Sequence, residues 1–181
     1  MATNLTTTTQ FANRYGLNVK IYDYSDTSLA NALMTIDFAN VSDIDISGDR
    51  TWATGGQAHS NKIGFNDPIQ GTFTLSTQIL TMELLNLMAG GTAGSGSTTV
   101  VFENTPTAMP KYYIVTAETV WQDAAGNVYD ENLTFHKATP QRALNISYNG
   151  EGDPVSVDVV FDLLEDANSK VLTITKADHS S

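Results

Sequence analysis

The chain has no cysteine. That excludes a disulfide framework and any thiolate metal site. Basic residues are scarce as well, nine Lys and Arg against 20 Asp and Glu, for a formal charge of −11. A surface this acidic repels nucleic acid, because gripping duplex phosphate takes clustered Lys and Arg. No run approaches the roughly 18 apolar residues of a membrane-spanning helix. Residues 1–10 lack the basic-then-apolar layout of a signal peptide. The Asn-x-Ser/Thr triplets at Asn4, Asn40, Asn132 and Asn145 therefore read as coincidence, and the expected compartment is the cytoplasm or a particle assembled there.

Reactive constellations are missing too. The three histidines, His59, His136 and His179, fall in a loop, on a strand's polar face and in the tail. No Ser/His/Asp logic or metal-ligand spacing links them. Asp43-Ile-Asp45-Ile-Ser47-Gly48-Asp49 resembles the front half of a calcium loop, but that motif needs a glutamate where Thr54 stands. An acidic strand edge fits better. Glu118 and Glu131 are placed to face each other across a hairpin, with no pocket to make them a catalytic pair. The glycine-rich run Gly90–Thr99 lacks the lysine of a phosphate loop and follows a helix instead of preceding one, so it reads as a flexible linker. No cofactor, no metal and no enzymatic activity are expected.

What remains is building material. The 181 residues suffice for one domain with a sizeable core. The apolar content of 41% argues against wholesale disorder. The stretch from Met34 to Gly91 organises the chain. Met34, Ile36, Phe38, Ile44 and Ile46 alternate with Asp37, Asp43, Asp45 and Asp49, the pattern of a strand with one packed and one wet face. Asn40 and Ser42 interrupt the apolar side, which predicts a bend or bulge. Asp49–Pro68 has no period and reads as a long loop carrying Arg50, Trp52, His59, Lys62 and Phe65. Its aromatics either anchor an interface or fold back on the core. Ile69, Phe73 and Leu75 mark a second strand. Thr77–Met88 has helical spacing, with Ser76 or Thr77 as the cap.

Further strands are expected at Val19–Tyr24, Val100–Glu103, Lys111–Gln122, Val128–Lys137, Ala143–Tyr148, Val155–Leu163 and around Leu172 and Ile174. The turns are Asp123–Asn127 and Asn149–Pro154. The fold class is thus mainly β: an antiparallel β-sandwich or barrel with one flanking α-helix and a long inter-strand loop. Residues 1–14 read as a mobile arm and 177–181 as a loose tail on a single domain, 1–181.

This layout resembles the tail tube (major tail) proteins of tailed bacteriophages. The likeness lies in the acidic strand with its long following loop and in the passage Gly71-Thr-Phe-Thr-Leu-Ser…Leu84-Leu85-Asn-Leu87. It continues in the run from Leu133 to Tyr148 and in the late strand Asp153–Leu164, and spans residues 15 to 176. The resemblance implies a structural virion protein that forms hexameric rings stacked into a tube for genome ejection. Asp37, Asp43, Asp45 and Asp49 would line the lumen, and Arg50, Trp52, His59, Lys62 and Phe65 would make contacts between rings. Implied partners are further copies of the chain, a tape measure protein, and tail terminator and tip proteins. DNA would pass without specific binding and no membrane would be bound. The alternative is a virion decoration or adhesion domain that binds a host glycan through exposed Tyr and Trp.

Overall fold

The structure is a computed structural model. It describes residues 11–13, 17–55, 60–77, 80–95, 98–103, 109–144, 146 and 157–179, with backbone alone at 11–13, 37–42, 51–55 and 60–63. Among these residues are ten strands and one helix. In chain order they are β1 (Phe11–Asn13), β2 (Leu17–Asp23), β3 (Met34–Ser47), β4 (Arg50–Gly55), β5 (Ser60–Asn66), β6 (Gln70–Thr77), α1 (Met82–Met88), β7 (Tyr113–Asp123), β8 (Val128–Pro140), β9 (Val157–Leu163) and β10 (Leu172–Asp178). The expected class, mainly β with one helix, is the observed one.

Eight strands form one antiparallel sheet in the order β1-β7-β2-β3-β6-β9-β8-β10, with β7 also paired to β8. The sheet folds over on itself around one core. β8 runs beside β7 for most of its length and meets β9 only where Ala138–Pro140 oppose Phe161–Leu163. That seam is too short to close a barrel. Inward positions follow the alternation of the sequence: Phe73 and Leu75 of β6, Leu133 and Phe135 of β8, and Val157, Val159, Phe161 and Leu163 of β9 are all buried. Phe73 stacks on Phe135 with ring centroids 4.6 Å apart and lies 6.2 Å from Phe161. Because β6 and β8 are not neighbours, the first of these contacts ties the folded-over sheet together across the core.

β3 carries the expected irregularity, and in doubled form. Against β2 the register slips between the Val19–Ile36 and Leu17–Ala39 pairs. Against β6 it slips again between Ala39–Thr77 and Val41–Ser76. Ala39, not Phe38, therefore stands opposite the buried Leu17 and Thr77. After both slips Ile44 and Ile46 return to the core side, partly buried against the same cluster as Met34 and Ile36.

Several expectations are corrected. Asp49–Pro68 is not a loop without structure: β4 and β5 pair as a hairpin, tied at its base by Asp67 N to Asp49 O at 2.9 Å. The helix is shorter than Thr77–Met88. Thr77 still belongs to β6, and the cap is Thr81, extended at φ −105° and accepting from Leu84 N at 3.1 Å. Leu84, Leu87 and Met88 enter the core while Leu80 and Met82 stay outside it, 38% and 40% exposed; Ile79 lies outside the described residues.

The glycine-rich run is pinned over Gly91–Ser95. Asn86 Nδ2 reaches Thr92 O and Ser95 O, and Ala93 N donates to Tyr113 Oη. Gly94 has φ +72°, and a Cβ there would meet Leu33 O at 2.2 Å, so only glycine fits. Val100–Glu103 forms no strand, and Val101 and Phe102 are exposed. Ile69 and Ile174 are exposed where core positions were expected. Pro140 ends β8 without having broken it. β10 extends through Asp178 into the expected tail, and β1 orders Phe11–Asn13 of the expected arm. Of the strand expected at Ala143–Tyr148, a single bridge is described, Ile146 to Val157. The turn at Asn149–Pro154 lies outside the described residues.

Candidate functional site: the carboxylate face of three strands

The core side of β3, β6 and β9 is apolar, so pleating sends the intervening side chains outward. Three cross-strand rows result. Asp45 stands beside Thr72, which stands beside Asp162; Asp43 beside Thr74 and Val160; Val41 beside Ser76 and Asp158. Asp43, Asp45 and Asp158 are exposed and Asp162 is half-buried. Ser76 Oγ donates to Asp158 Oδ1, and Gln141 Nε2 donates to Asp162 Oδ1 at 2.6 Å. None of the three strands contains Lys, Arg or His. With neighbouring strands about 4.8 Å apart, Asp45 and Asp162 sit roughly 10 Å from each other across Thr72. That is slightly beyond the roughly 8 Å screening length of physiological salt, so these carboxylates interact little with one another, while a phosphate brought close to the face meets the same sign of charge at each. Where it ends, a groove between the hairpin base and β9 is lined by Asp45, Ile69, Asp162, Leu164 and Glu165. Every charge in that groove is negative too.

The four carboxylates expected to share a strand face divide as follows. Asp43 and Asp45 do share it. Asp49 is exposed but lies beyond the end of β3, at the kink into the hairpin. Asp37 lies in β3 and its side chain is outside the described residues. Asp158 and Asp162 join the face through the β6–β9 register. Their alternation within β9 was visible in the sequence, but their strand's place beside β6 was not.

Of the five hairpin residues, Arg50 and Phe65 stand exposed at its base, in the adjacent pairs Arg50–Asn66 and Thr51–Phe65. Arg50 Nε donates to Asn66 Oδ1 at 2.9 Å, and Phe65 is 56% exposed. Trp52 and Lys62 lie in β4 and β5 with side chains outside the described residues, and His59 is wholly outside them.

The remaining polar groups fasten strands. Glu118 and Glu131 do not face each other: Glu118 opposes Asn132 and binds Lys20 at 3.0 Å, while Glu131, buried on the other side, binds Lys176 at 2.7 Å. A contact line absent from sequence spacing runs from Thr173 Oγ1 to His136 Nε2 at 2.8 Å and from His136 Nδ1 to Asp166 Oδ2 at 3.9 Å. The order mimics a catalytic triad. However, Asp166 is spent on its own turn, where the backbone N–H groups of Lys170 and Asn168 hold its carboxyl below the usual carboxylate range. Tyr24 and Tyr112 lie under Lys137, and Trp121 lies under Lys176, so one face of each of these rings is taken by a cation. Among the described residues no three His, Asp or Glu converge as metal ligands.

Fold and face together define a mainly β, single-helix domain with a surface on which four carboxylates stand among Thr, Ser and Val and none of the three strands supplies a cation. No family model matches the chain, and no curated protein matches it. Among solved structures it is similar to a chain of the cryo-EM structure of the anti-feeding prophage baseplate, 6-fold symmetrised. The TM-score is 0.53 at 9% identity, over 92% of this chain and 95% of that one. At that identity the likeness is one of fold.

Proposed function

We propose that this chain is a structural, non-catalytic virion subunit of a phage-type tail. Its copies form rings of six that stack into the tail tube through which DNA is delivered. The observation that carries the reading is the cation-free carboxylate face of β3, β6 and β9. Turned to the lumen, it would repel phosphate and let DNA slide without sticking. The fold likeness to a chain from a 6-fold symmetrised baseplate supports a place in such a machine. So do the two ends of the sheet, β1 and β10, each paired on one edge only among the described strands. Open edges are an aggregation hazard that closure with a neighbouring copy removes. The β4–β5 hairpin, with Phe65 and Arg50 exposed at its base, would reach the next ring. A tape measure protein inside the tube, and terminator and tip proteins at its ends, would be the other partners.

Negative-stain microscopy of the purified protein tests this reading. Rings or tubes with a central channel are expected. A protein that stays monomeric at high concentration and binds sugar would replace the tube with an adhesion role.

A further inference from the structure

β10 is an unusual last strand. Five of its seven residues are exposed, and Ile174, on the side that faces the core in β8, is 56% exposed. Leu172 alone packs on the core, and only partly. Its register partners all lie in β8, from Leu172–Phe135 to Asp178–Tyr129. Its hydrogen-bonded and ionic side-chain ties run to β8 as well, Lys176 to Glu131 and Thr173 to His136, and Lys176 also lies over the Trp121 ring of β7. Beyond the strand, His179 Nδ1 meets Asp130 at 2.6 Å and His179 N donates to Val128 O. β10 is thus a terminal ribbon whose backbone pairs with one neighbour only.

The turn that feeds it is strained. Ser169 has φ +58°, the left-handed region, where a residue with a Cβ is disfavoured. The turn's hydrogen bonds, Asp166 N to Lys170 O and those to the Asp166 carboxylate, join a half-buried Asp166 to the exposed residues Asn168 and Lys170, on whose side water can replace them.

A strained hinge, a weakly buried terminal strand and one acceptor edge are the conditions under which identical elements trade places between copies. We propose that β10 is an exchange strand: in assembled protein, β10 of one copy lies on β8 of another. The occupant of the β8 edge is then a second copy of this chain. The contacts of β10 with β8 re-form unchanged, while the turn gives up its own hydrogen bonds as the hinge opens and Ser169 relaxes. The inference needs copies to meet, which the tail reading supplies, but it does not depend on a tube.

Because the chain has no cysteine, introduced thiols report cleanly. Asn132 and Thr175 are exposed and directly opposed. Their Cα atoms fall within about 4.5–5.5 Å, inside the range a disulfide spans. Asn132→Cys and Thr175→Cys are made as separate proteins, mixed in equal amounts in dilute solution, assembled, and oxidised. Exchange predicts a disulfide-linked heterodimer at twice the chain mass on a non-reducing gel, formed only in the mixture. Ser169→Gly, which removes the strain from the compact turn, should lower its yield by roughly fivefold. The proposal is overturned if the mixture gives no heterodimer while the double variant N132C/T175C links within one chain. Tubes seen by microscopy without a heterodimer would sink the exchange and leave the tail reading standing. A heterodimer without tubes or rings would do the reverse.

Discussion

Reversing the charge of the carboxylate face is the sharpest perturbation. Asp43 and Asp45 are both exposed, sit in regular ladder positions opposite Thr74 and Thr72, and are two residues apart on one side of β3. Surface changes of this kind usually alter stability by no more than about 0.5 kcal/mol, so D43K/D45K should fold. Each replacement adds two units of charge, taking the chain from −11 to −11 + 4 = −7. In the proposed ring of six, 2 × 6 = 12 lysines would then face the lumen. If geometry lets about four of them meet phosphate at once, binding to DNA should vary with salt at a log–log slope near −3.6. Between 50 and 200 mM salt that is a change of about 150-fold in affinity. The assay is DNA ejection from reconstituted particles, alongside microscopy of the tubes. Ejection should stall at low salt and recover as salt rises. Normal ejection through normal tubes at low salt would show that this face does not line the channel.

Phe73→Ala should cost roughly 3–5 kcal/mol by leaving a cavity between β6 and β8, read as a lowered urea midpoint with little change in slope. The stacked contact to Phe135 predicts that the loss couples to Phe135→Leu in a double-mutant cycle; strict additivity would refute the stack. Asp123 is held below its ordinary value of 3.8, first by Asn127 Nδ2 and then by the N–H groups of Asn127 and Ala125. A depressed folded-state pKa adds stability above 3.8 that is lost as pH falls through the lower folded value. The urea midpoint should therefore be flat above about pH 5 and fall below about pH 4. Asp123→Ala should lower the plateau and shrink that fall, and an unchanged profile would refute the assignment. Phe65→Ala, at an exposed hairpin site, should leave stability intact and slow polymerisation. Equal assembly rates by light scattering would remove the hairpin from the interface.

The local patterns that survive folding were those with strict alternation. Tyr129, Leu133 and Phe135, or Val157 to Leu163, have the same faces in the sequence and in the fold, because a half-buried strand leaves its period in the residues. The helix was overextended because Ile79, Leu80 and Met82 continue an apolar stripe past Thr81, whose capping depends on the backbone turning there. The hairpin was hidden because residues 50–66 mix Gly, Thr and Asn with isolated aromatics, and pairing such strands is decided by register, not by pattern. The carboxylate face was half legible. Asp43 and Asp45 announce one wet strand, but Asp162, the carboxylate in the row of Asp45, is 117 residues further on, since 162 − 45 = 117. Only long-range pairing to β6 brings it alongside. His136, Thr173 and Asp166 meet for the same reason.

The paired slips in β3 work like two compensating shifts in a reading frame. The first moves the strand out of phase and the second restores it, so Met34 and Ile46 face the same side although they sit on opposite flanks of the disturbance. Loss of one residue between Ile36 and Ser42 would leave the second half out of phase. Ile44 and Ile46 would be driven into water and two carboxylates into the core. Loss of two residues would cost the bend but keep the phase. Descendants of this sequence should therefore vary in length at this point by pairs of residues, and single deletions here should be far rarer than in the hairpin a few positions on.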